Sequence, residues 1–179
     1  WAYFAKSKSQ VNKTLEFTQK FGQNEYTDIP LIKSENDSKV NDNLPHHKLQ
    51  IEVRPYEIDS FQHVNNAVYA NYFEIGRWDF RRKLFSDINF FKNLNLIFVL
   101  YKSTVQFARP SFLFEELFVK TWLIELTSLR IIYWQEIQDK DGTIRATSRS
   151  EGCAVNNKGF PTKLSPEIIL ASKSMLVFK

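Results

Sequence analysis

One long amphipathic segment, residues 67–85, constrains the fold of this chain more than any other sequence feature. Its apolar stripe is formed at helical spacing by Tyr69, Phe73, Gly76, Phe80 and Leu84. A helix of about 19 residues is roughly 28 Å long, enough to lie across a whole sheet. Gly76 on this stripe predicts a close approach of the helix backbone to the sheet, because glycine has no Cβ.

Strand-like runs lie on both sides of this helix in the sequence. Before it, Leu49, Ile51 and Val53 alternate with polar residues, which predicts a strand with one buried face. After it, four runs are rich in β-branched and aromatic residues, and they cover residues 95–108, 113–126, 129–138 and 143–155. One long helix and about five strands in this order are typical of an α+β domain.

Two local signals add turns and a final helix. The run Asp139-Lys140-Asp141-Gly142 predicts a hairpin between the last two strands. Ser165-Pro166-Glu167 combines an N-cap residue, a proline at the first helical position and an acid in the first turn. We therefore predict a short helix after residue 165.

The N-terminal region is predicted to be an appendage. Near-helical spacing of apolar residues in the first twenty positions predicts a helix, and the polar, turn-rich residues from 33 onward indicate a linker. We divide the chain into residues 1–45, a helical extension with its linker, and residues 46–179, the main domain. Four lysines and a single acid in residues 1–20 weakly resemble a presequence, but the lack of arginine there favours a packed appendage.

Composition narrows the classes of partner and cofactor. The chain has 179 residues, is 43% hydrophobic and carries a net charge of +4 without a block of like charges, which does not indicate a nucleic-acid partner. A single cysteine, Cys153, excludes an intramolecular disulfide, and five glycines form no nucleotide-binding motif. The three histidines lack metal-ligand spacing, so we expect no metal and no cofactor. With no membrane-spanning run, we predict a cytoplasmic location, with an organelle lumen after presequence removal as the alternative.

The chemistry-bearing residues lie just before the long helix. Asp59 and His63 are placed in a loop that leads to Asn66 at the helix start, where free backbone N–H groups and the helix dipole favour developing negative charge. A carboxylate beside such an N–H can perform acyl transfer. Simpler interpretations are also open: Asp59 could bond to N–H groups of the loop, and His63 to a backbone carbonyl. Glu74 could form an ordinary ion pair on the helix.

The motif also resembles a known family. Asp59-x-x-x-His63-Val64-Asn65-Asn66-Ala67-x-Tyr69, followed by Asn71-Tyr72-Phe73-Glu74, resembles the hotdog-fold acyl-CoA thioesterases of the 4-hydroxybenzoyl-CoA thioesterase superfamily and the related acyl-ACP thioesterases. Gln106-Phe107-Ala108-Arg109-Pro110 is similar to the same family's second strand and its turn. The resemblance covers about residues 48–170. It implies a hotdog fold, with an antiparallel sheet of about five strands wrapped around one long central helix.

The resemblance also implies catalytic roles. Asp59 would attack the thioester carbonyl or direct a water at it, the N–H near Asn66 would hold the oxyanion, and His63 or Glu74 would position the water. Phe61 stands where the acyl-ACP branch has asparagine, which favours one carboxylate plus a backbone donor over a three-residue constellation.

The expected partners follow from the same resemblance. They are an acyl-CoA or acyl-carrier-protein substrate and further copies of the chain, in a homodimer or homotetramer. A hotdog dehydratase or hydratase, and a non-catalytic acyl-binding or scaffold protein, are the alternatives. Candidate contacts for the carrier's phosphates are Arg77, Arg81, Arg82, Lys83, Arg145 and Arg149.

Overall fold

A computed structural model describes residues 33–35, 37–85 and 96–178. They form β1 (His47–Glu52), α1 (Asn66–Phe85), β2 (Leu96–Phe107), β3 (Glu116–Leu126), β4 (Ile131–Asp139), β5 (Ile144–Asn156) and α2 (Pro166–Ser172). Short 3-10 helices occupy Asp37–Lys39, Pro55–Glu57 and Lys173–Met175. The predicted long helix, the five strands and the terminal helix are confirmed. The helix predicted in the first twenty residues lies outside the described part of the chain.

All five strands belong to one sheet with the order β1-β3-β4-β5-β2. Each neighbouring pair is antiparallel, so β1 and β2 are the two edges. The predicted hairpin between β4 and β5 is confirmed: Asp139 Oδ1 accepts the N–H groups of Asp141 and Thr143, both at 2.9 Å. Gly142 has φ +85°, a left-handed conformation that glycine adopts without strain.

The long helix packs on one face of the sheet, with Gly76 at the closest approach. A Cβ at Gly76 would lie 2.6 Å from Val119 Cγ1 and 3.0 Å from Gln135 Nε2. Gln135 cannot easily move aside, because its Nε2 donates to the Phe73 carbonyl at 2.9 Å and to Thr121 Oγ1 at 3.0 Å. Glycine is therefore required at position 76 for steric reasons, and the predicted close approach is confirmed.

The opposite face of the sheet carries the buried rings of Trp122 and Trp134. Residues from the predicted linker cover it: Val40 packs against these rings, and the Asn41 carbonyl accepts the Trp122 Nε1–H at 3.2 Å. Asp37 is buried and pairs with Arg149 at 2.6 Å. Residues 37–41 thus form part of the packed structure, while the domain boundary at residue 45 stays a prediction.

An ion cluster ties the edge strand β1 to α1. Nε2 of His47 lies 2.6 Å from Asp79 Oδ2, and Arg82 donates to Asp79 Oδ1. Burial acts to raise the pKa of Asp79, but the hydrogen bonds from His47 and Arg82 outweigh it and hold that pKa below its usual value.

The terminal helix α2 begins with a side-chain cap: Ser165 accepts the Ile168 N–H. In the described residues, no helix has the length and apolar character needed to cross a membrane.

Candidate active site

The loop between β1 and α1 is closed at its base by backbone hydrogen bonds. The N–H of Asn65 donates to the Glu57 carbonyl at 2.9 Å, and Ile58 pairs with Val64 in an antiparallel bridge. The N–H of Val64 also donates to the Ser111 carbonyl at 2.9 Å, which fixes the loop to the connection between β2 and β3. Residues 59–63 therefore project as a short tip from a rigid base.

Asp59 uses its two carboxylate oxygens differently. Oδ1 accepts the N–H groups of Phe61 at 2.8 Å and His63 at 3.3 Å, which folds the tip of the loop. The backbone N–H of Asp59 donates in turn to the His63 carbonyl at 2.8 Å. Oδ2 has no hydrogen-bond partner within the described ranges. The half-buried carboxylate therefore holds the loop with one oxygen and retains a second oxygen for a further hydrogen bond.

The start of α1 offers a backbone donor close by in sequence. Asn65 acts as the N-cap, since its Oδ1 accepts the Ala67 N–H at 2.9 Å and its carbonyl accepts the Val68 N–H at 2.9 Å. Asn66 is the first residue of the helix, and in the described part of the chain no acceptor binds its N–H. A free N–H at the positive end of the helix dipole is suited to an oxyanion.

A buried carboxylate that sequence analysis missed supports this loop. Glu57, only 7% exposed, accepts the Tyr72 hydroxyl at 2.7 Å and the Arg54 N–H at 2.7 Å through Oε2. Burial, and then the hydrogen bond and charge of Glu57, raise the pKa of Tyr72 strongly, so its hydroxyl stays protonated and donates. The sequence did contain one signal for this contact. Tyr72 lies beside the buried stripe of the helix, and a buried tyrosine hydroxyl usually needs a hydrogen-bond partner.

A second tyrosine fixes the neighbouring connection. The hydroxyl of Tyr69 donates to Ser111 Oγ at 3.1 Å, and Ser111 is fully buried. The next residue, Phe112, packs edge-to-face against the His63 ring at 5.3 Å between centroids. The half-buried imidazole is thus held beside the loop tip by an aromatic contact as well as by its backbone.

The structure brings three of the four predicted residues together. Asp59, His63 and Asn66 lie in the loop tip and at the helix start, whereas Glu74 lies two helical turns further, about 12 Å along the axis from Asn66. Glu74 is exposed and lines a cavity between α1 and β2 with Arg77 and Trp78. Among the described residues, no three His, Cys, Asp or Glu side chains are grouped as a metal site.

The basic residues predicted for the carrier's phosphates divide into two groups. Arg77 is buried, Arg145 pairs with Glu115 and with Asp139, and Arg149 pairs with Asp37. These three side chains have structural contacts inside the domain. The others project from α1, and Arg82 among them binds Asp79.

A five-stranded antiparallel sheet packed against one long helix, with an acidic loop before the helix start, defines a hotdog-fold domain. Residues 53–171 match the family model described as the thioesterase-like superfamily, and the chain belongs to that family.

Known relatives and solved structures agree with this assignment. The chain is 30% identical over 124 residues to the chloroplastic acyl-acyl carrier protein thioesterase ATL2 of Arabidopsis thaliana, covering 68% of this chain. It spans 65% of that relative's length. It is also 35% identical over 77 residues to the long-chain acyl-CoA thioesterase FadM of Escherichia coli, across 43% of this chain and 58% of FadM. A DHNA-CoA thioesterase structure from Staphylococcus aureus is 25% identical with a TM-score of 0.66, covering 70% of this chain and 87% of that one.

Proposed function

We propose that this protein hydrolyses an acyl thioester to a free acid and a thiol. The observation that carries the proposal concerns two groups that have no hydrogen-bond partner among the described residues. They are Oδ2 of Asp59, in the loop that leads directly into the start of α1, and the N–H of Asn66 at that start. A carboxylate and a backbone donor in this arrangement can act on opposite sides of a carbonyl group. Membership in the thioesterase-like superfamily supports the same reaction.

The residues divide the reaction between them. Asp59 Oδ2 attacks the carbonyl carbon or directs a water at it, and the N–H of Asn66 with the helix dipole stabilises the oxyanion as the thiolate leaves. If Asp59 attacks directly, water then hydrolyses the acyl-carboxylate anhydride, which releases the acid and restores the carboxylate. His63 positions that water. Glu74, two turns along α1, is the alternative to His63 for positioning the water.

The acyl carrier is CoA or acyl carrier protein. The two kinds of carrier are named in the relatives, one an acyl-acyl carrier protein thioesterase and the other a long-chain acyl-CoA thioesterase. The chloroplastic relative supports an organelle lumen as the alternative to a cytoplasmic location.

We also propose that the chain assembles as a homodimer or a homotetramer. Strand β2 is an edge of the sheet, and its apolar residues Ile97, Val99, Leu100 and Tyr101 are exposed. An exposed apolar edge of this kind is a template for pairing with a second chain. Antiparallel pairing of two β2 strands across a two-fold axis would cover these residues in both copies.

Asp59→Asn tests the proposed reaction. The asparagine Oδ1 can still accept the two loop N–H groups, so we expect a folded protein whose thioester hydrolysis falls at least a hundredfold, about 3 kcal/mol. Thiol release from a panel of acyl-CoA and acyl-carrier-protein thioesters measures the rate and identifies the carrier. Asp141→Asn, in the exposed β4–β5 turn, is the matched control.

Near wild-type turnover in the Asp59→Asn variant would show that Asp59 only folds the loop, and Glu74→Gln would become the variant to measure. A non-catalytic acyl-binding protein is the second candidate, because the Oδ1 contacts alone explain an aspartate at this position. That candidate predicts no thiol release from any thioester in the panel.

A further inference from the structure

Arg145, near the start of β5, binds the connection between β2 and β3, residues 108–115, with both its backbone and its side chain. Its carbonyl accepts the Ala108 N–H at 2.8 Å. Its Nη1 donates to the Pro110 carbonyl at 2.9 Å, and its Nη2 pairs with Glu115. One residue of a neighbouring strand therefore holds both ends of this connection.

The guanidinium of Arg145 makes a set of contacts that a lysine ammonium could not make together. Besides the Pro110 carbonyl, it binds two carboxylates, that of Glu115 and that of Asp139, the latter at 3.1 Å. A planar guanidinium presents several N–H donors in a fixed arrangement, whereas lysine has a single nitrogen. Only 15% of the Arg145 side chain is exposed, so water and salt screen these contacts little.

The second half of the connection is a strained turn. Phe114 has φ +62°, in the left-handed region that residues other than glycine rarely adopt. Glu115 closes this turn, because its Oε2 accepts the Phe112 N–H at 2.9 Å and its N–H donates to the Phe112 carbonyl at 3.1 Å. Its other carboxylate oxygen binds Arg145. A backbone in this conformation needs support from its surroundings, and Arg145 supplies support through Glu115.

The same connection contacts the loop of Asp59 at two points. At the base of the loop, the Val64 N–H donates to the Ser111 carbonyl at 2.9 Å. At the tip, the ring of Phe112 packs edge-to-face against the ring of His63. A shift of the connection would therefore displace the base of the loop and the imidazole together.

We propose that Arg145 is a positioning residue for thioester hydrolysis, and that it holds His63 and the loop of Asp59 in place through the β2–β3 connection. The two contacts with the loop lie between the points where the Arg145 side chain binds, at Pro110 and at Glu115. Arg145 touches no reacting atom in this scheme and acts only through the connection. The inference rests on the proposed function, because the loop matters for catalysis only if its residues act on a thioester.

Arg145→Lys tests the role of Arg145 without removing its charge. The lysine ammonium still neutralises the nearby carboxylates, but it cannot bind the Pro110 carbonyl at the same time. We expect hydrogen exchange of the Val64 N–H, measured by NMR on the full chain, to become at least tenfold faster. Exchange of the Trp134 N–H, in the central strand β4, should change less than twofold.

Arg130→Lys is the matched control for this exchange experiment. Arg130 also binds a carboxylate with two nitrogens, that of Glu125, but it lies in the β3–β4 turn. Its replacement should leave Val64 exchange within twofold of wild type. Unchanged Val64 exchange in Arg145→Lys would overturn the proposal. Equal acceleration at Val64 and Trp134 would also overturn it, because that result indicates a loss of global stability.

Hydrolysis kinetics test the catalytic part of the proposal, with the thioester of the panel that wild type hydrolyses fastest. Arg145→Lys should lower kcat at least tenfold and change KM less than threefold, because the connection positions reacting groups rather than the carrier. Arg130→Lys should keep both constants within twofold of wild type. A wild-type kcat in Arg145→Lys would overturn the positioning role even where Val64 exchanges faster.

Failure of the proposed reaction gives a different result from failure of this inference. Absence of thiol release by the wild type from every thioester would contradict the reaction, and with it any catalytic role of Arg145. The exchange experiment requires no turnover, so it would still show whether Arg145 holds the loop.

Discussion

Glu57 and Tyr72 hold the loop of Asp59 against the long helix through one short hydrogen bond. Both residues are buried, and the Tyr72 hydroxyl donates to a carboxylate rather than to a neutral acceptor. Hydrogen bonds to charged groups contribute more to stability than neutral ones, and a buried charge left without its donor is especially unfavourable. The Arg54 N–H donates to the same Glu57 oxygen, so removal of the Tyr72 hydroxyl would leave this buried carboxylate with one donor instead of two.

Tyr72→Phe tests the effect of losing this donor, with Tyr69→Phe as the matched variant. Tyr69 is also buried on α1, but its hydroxyl donates to the neutral Ser111 Oγ at 3.1 Å. We expect Tyr72→Phe to lower the free energy of unfolding by about 2 kcal/mol and Tyr69→Phe by about 1 kcal/mol. Urea denaturation of both variants measures the difference. A loss from Tyr69→Phe that equals or exceeds the loss from Tyr72→Phe would contradict this account of the loop.

The sequence predicted the local part of the candidate site and missed the rest. Asp59, His63 and Asn66 lie within eight positions, so a loop followed by a helix brings them together without tertiary information. Glu57 and Tyr72 are 15 positions apart, and their contact depends on the exact path of the loop over the helix. Ser111 is 42 positions from Tyr69, and no local pattern could pair them.

Between elements, the cluster of His47, Asp79 and Arg82 joins an edge strand to the helix. The folded state holds the pKa of Asp79 below its unfolded value, which is about 3.9. Asp79 therefore contributes stability that is fully present above that unfolded value. This contribution is lost as pH falls below about 4 and through the lower folded pKa, because protonation removes the charge that His47 and Arg82 bind.

Asp79→Asn should accordingly be less stable than wild type at pH 7, with a difference that shrinks as the pH falls below about 4. The comparison is made by urea denaturation from pH 3 to 7, with Asp141→Asn as the control for the loss of one exposed carboxylate. A difference between wild type and Asp79→Asn that stays constant or grows in acid would show that the cluster does not contribute through the charge of Asp79.

Elements were predictable where one residue pattern dominated. The alternating and aromatic-rich runs identified all five strands, and the helical stripe identified α1, because burial on one face produces a periodic signal. Residues 37–41 show the limit of this reasoning. Their polar composition indicated a linker, yet Asp37 is buried by a pairing with Arg149 that lies 112 positions away. Composition cannot reveal a charge partner on a distant strand.

For the molecule as a whole, the proposed assembly depends on pairing through the edge strand β2. Ile97→Glu places a charge on this edge at a side chain that is 53% exposed, so the fold of one chain should tolerate it. We expect wild type to have at least twice the 21.1 kDa mass of one chain by light scattering, and Ile97→Glu to shift towards that single-chain mass. Leu129→Glu, 49% exposed in the β3–β4 turn, is the matched control. A wild-type mass near 21.1 kDa at micromolar concentration would contradict the assembly.

The strand order also determines which strands of the sheet can pair first during folding. The turns 127–130 and 140–143 that join β3, β4 and β5 are short. The outer strands pair across much longer segments of chain: residues 108–143 separate β2 from β5, and residues 53–115 separate β1 from β3. Longer closures have a larger entropic cost, so we expect the three-stranded meander to form in the folding transition state and the outer strands to join afterwards. Substitutions at the β4–β5 contact should therefore slow folding, while substitutions in β2 should mainly speed unfolding, as stopped-flow kinetics would measure. The apolar edge is consequently the last part of the sheet to be covered, which makes it the segment most exposed to aggregation while a new chain folds.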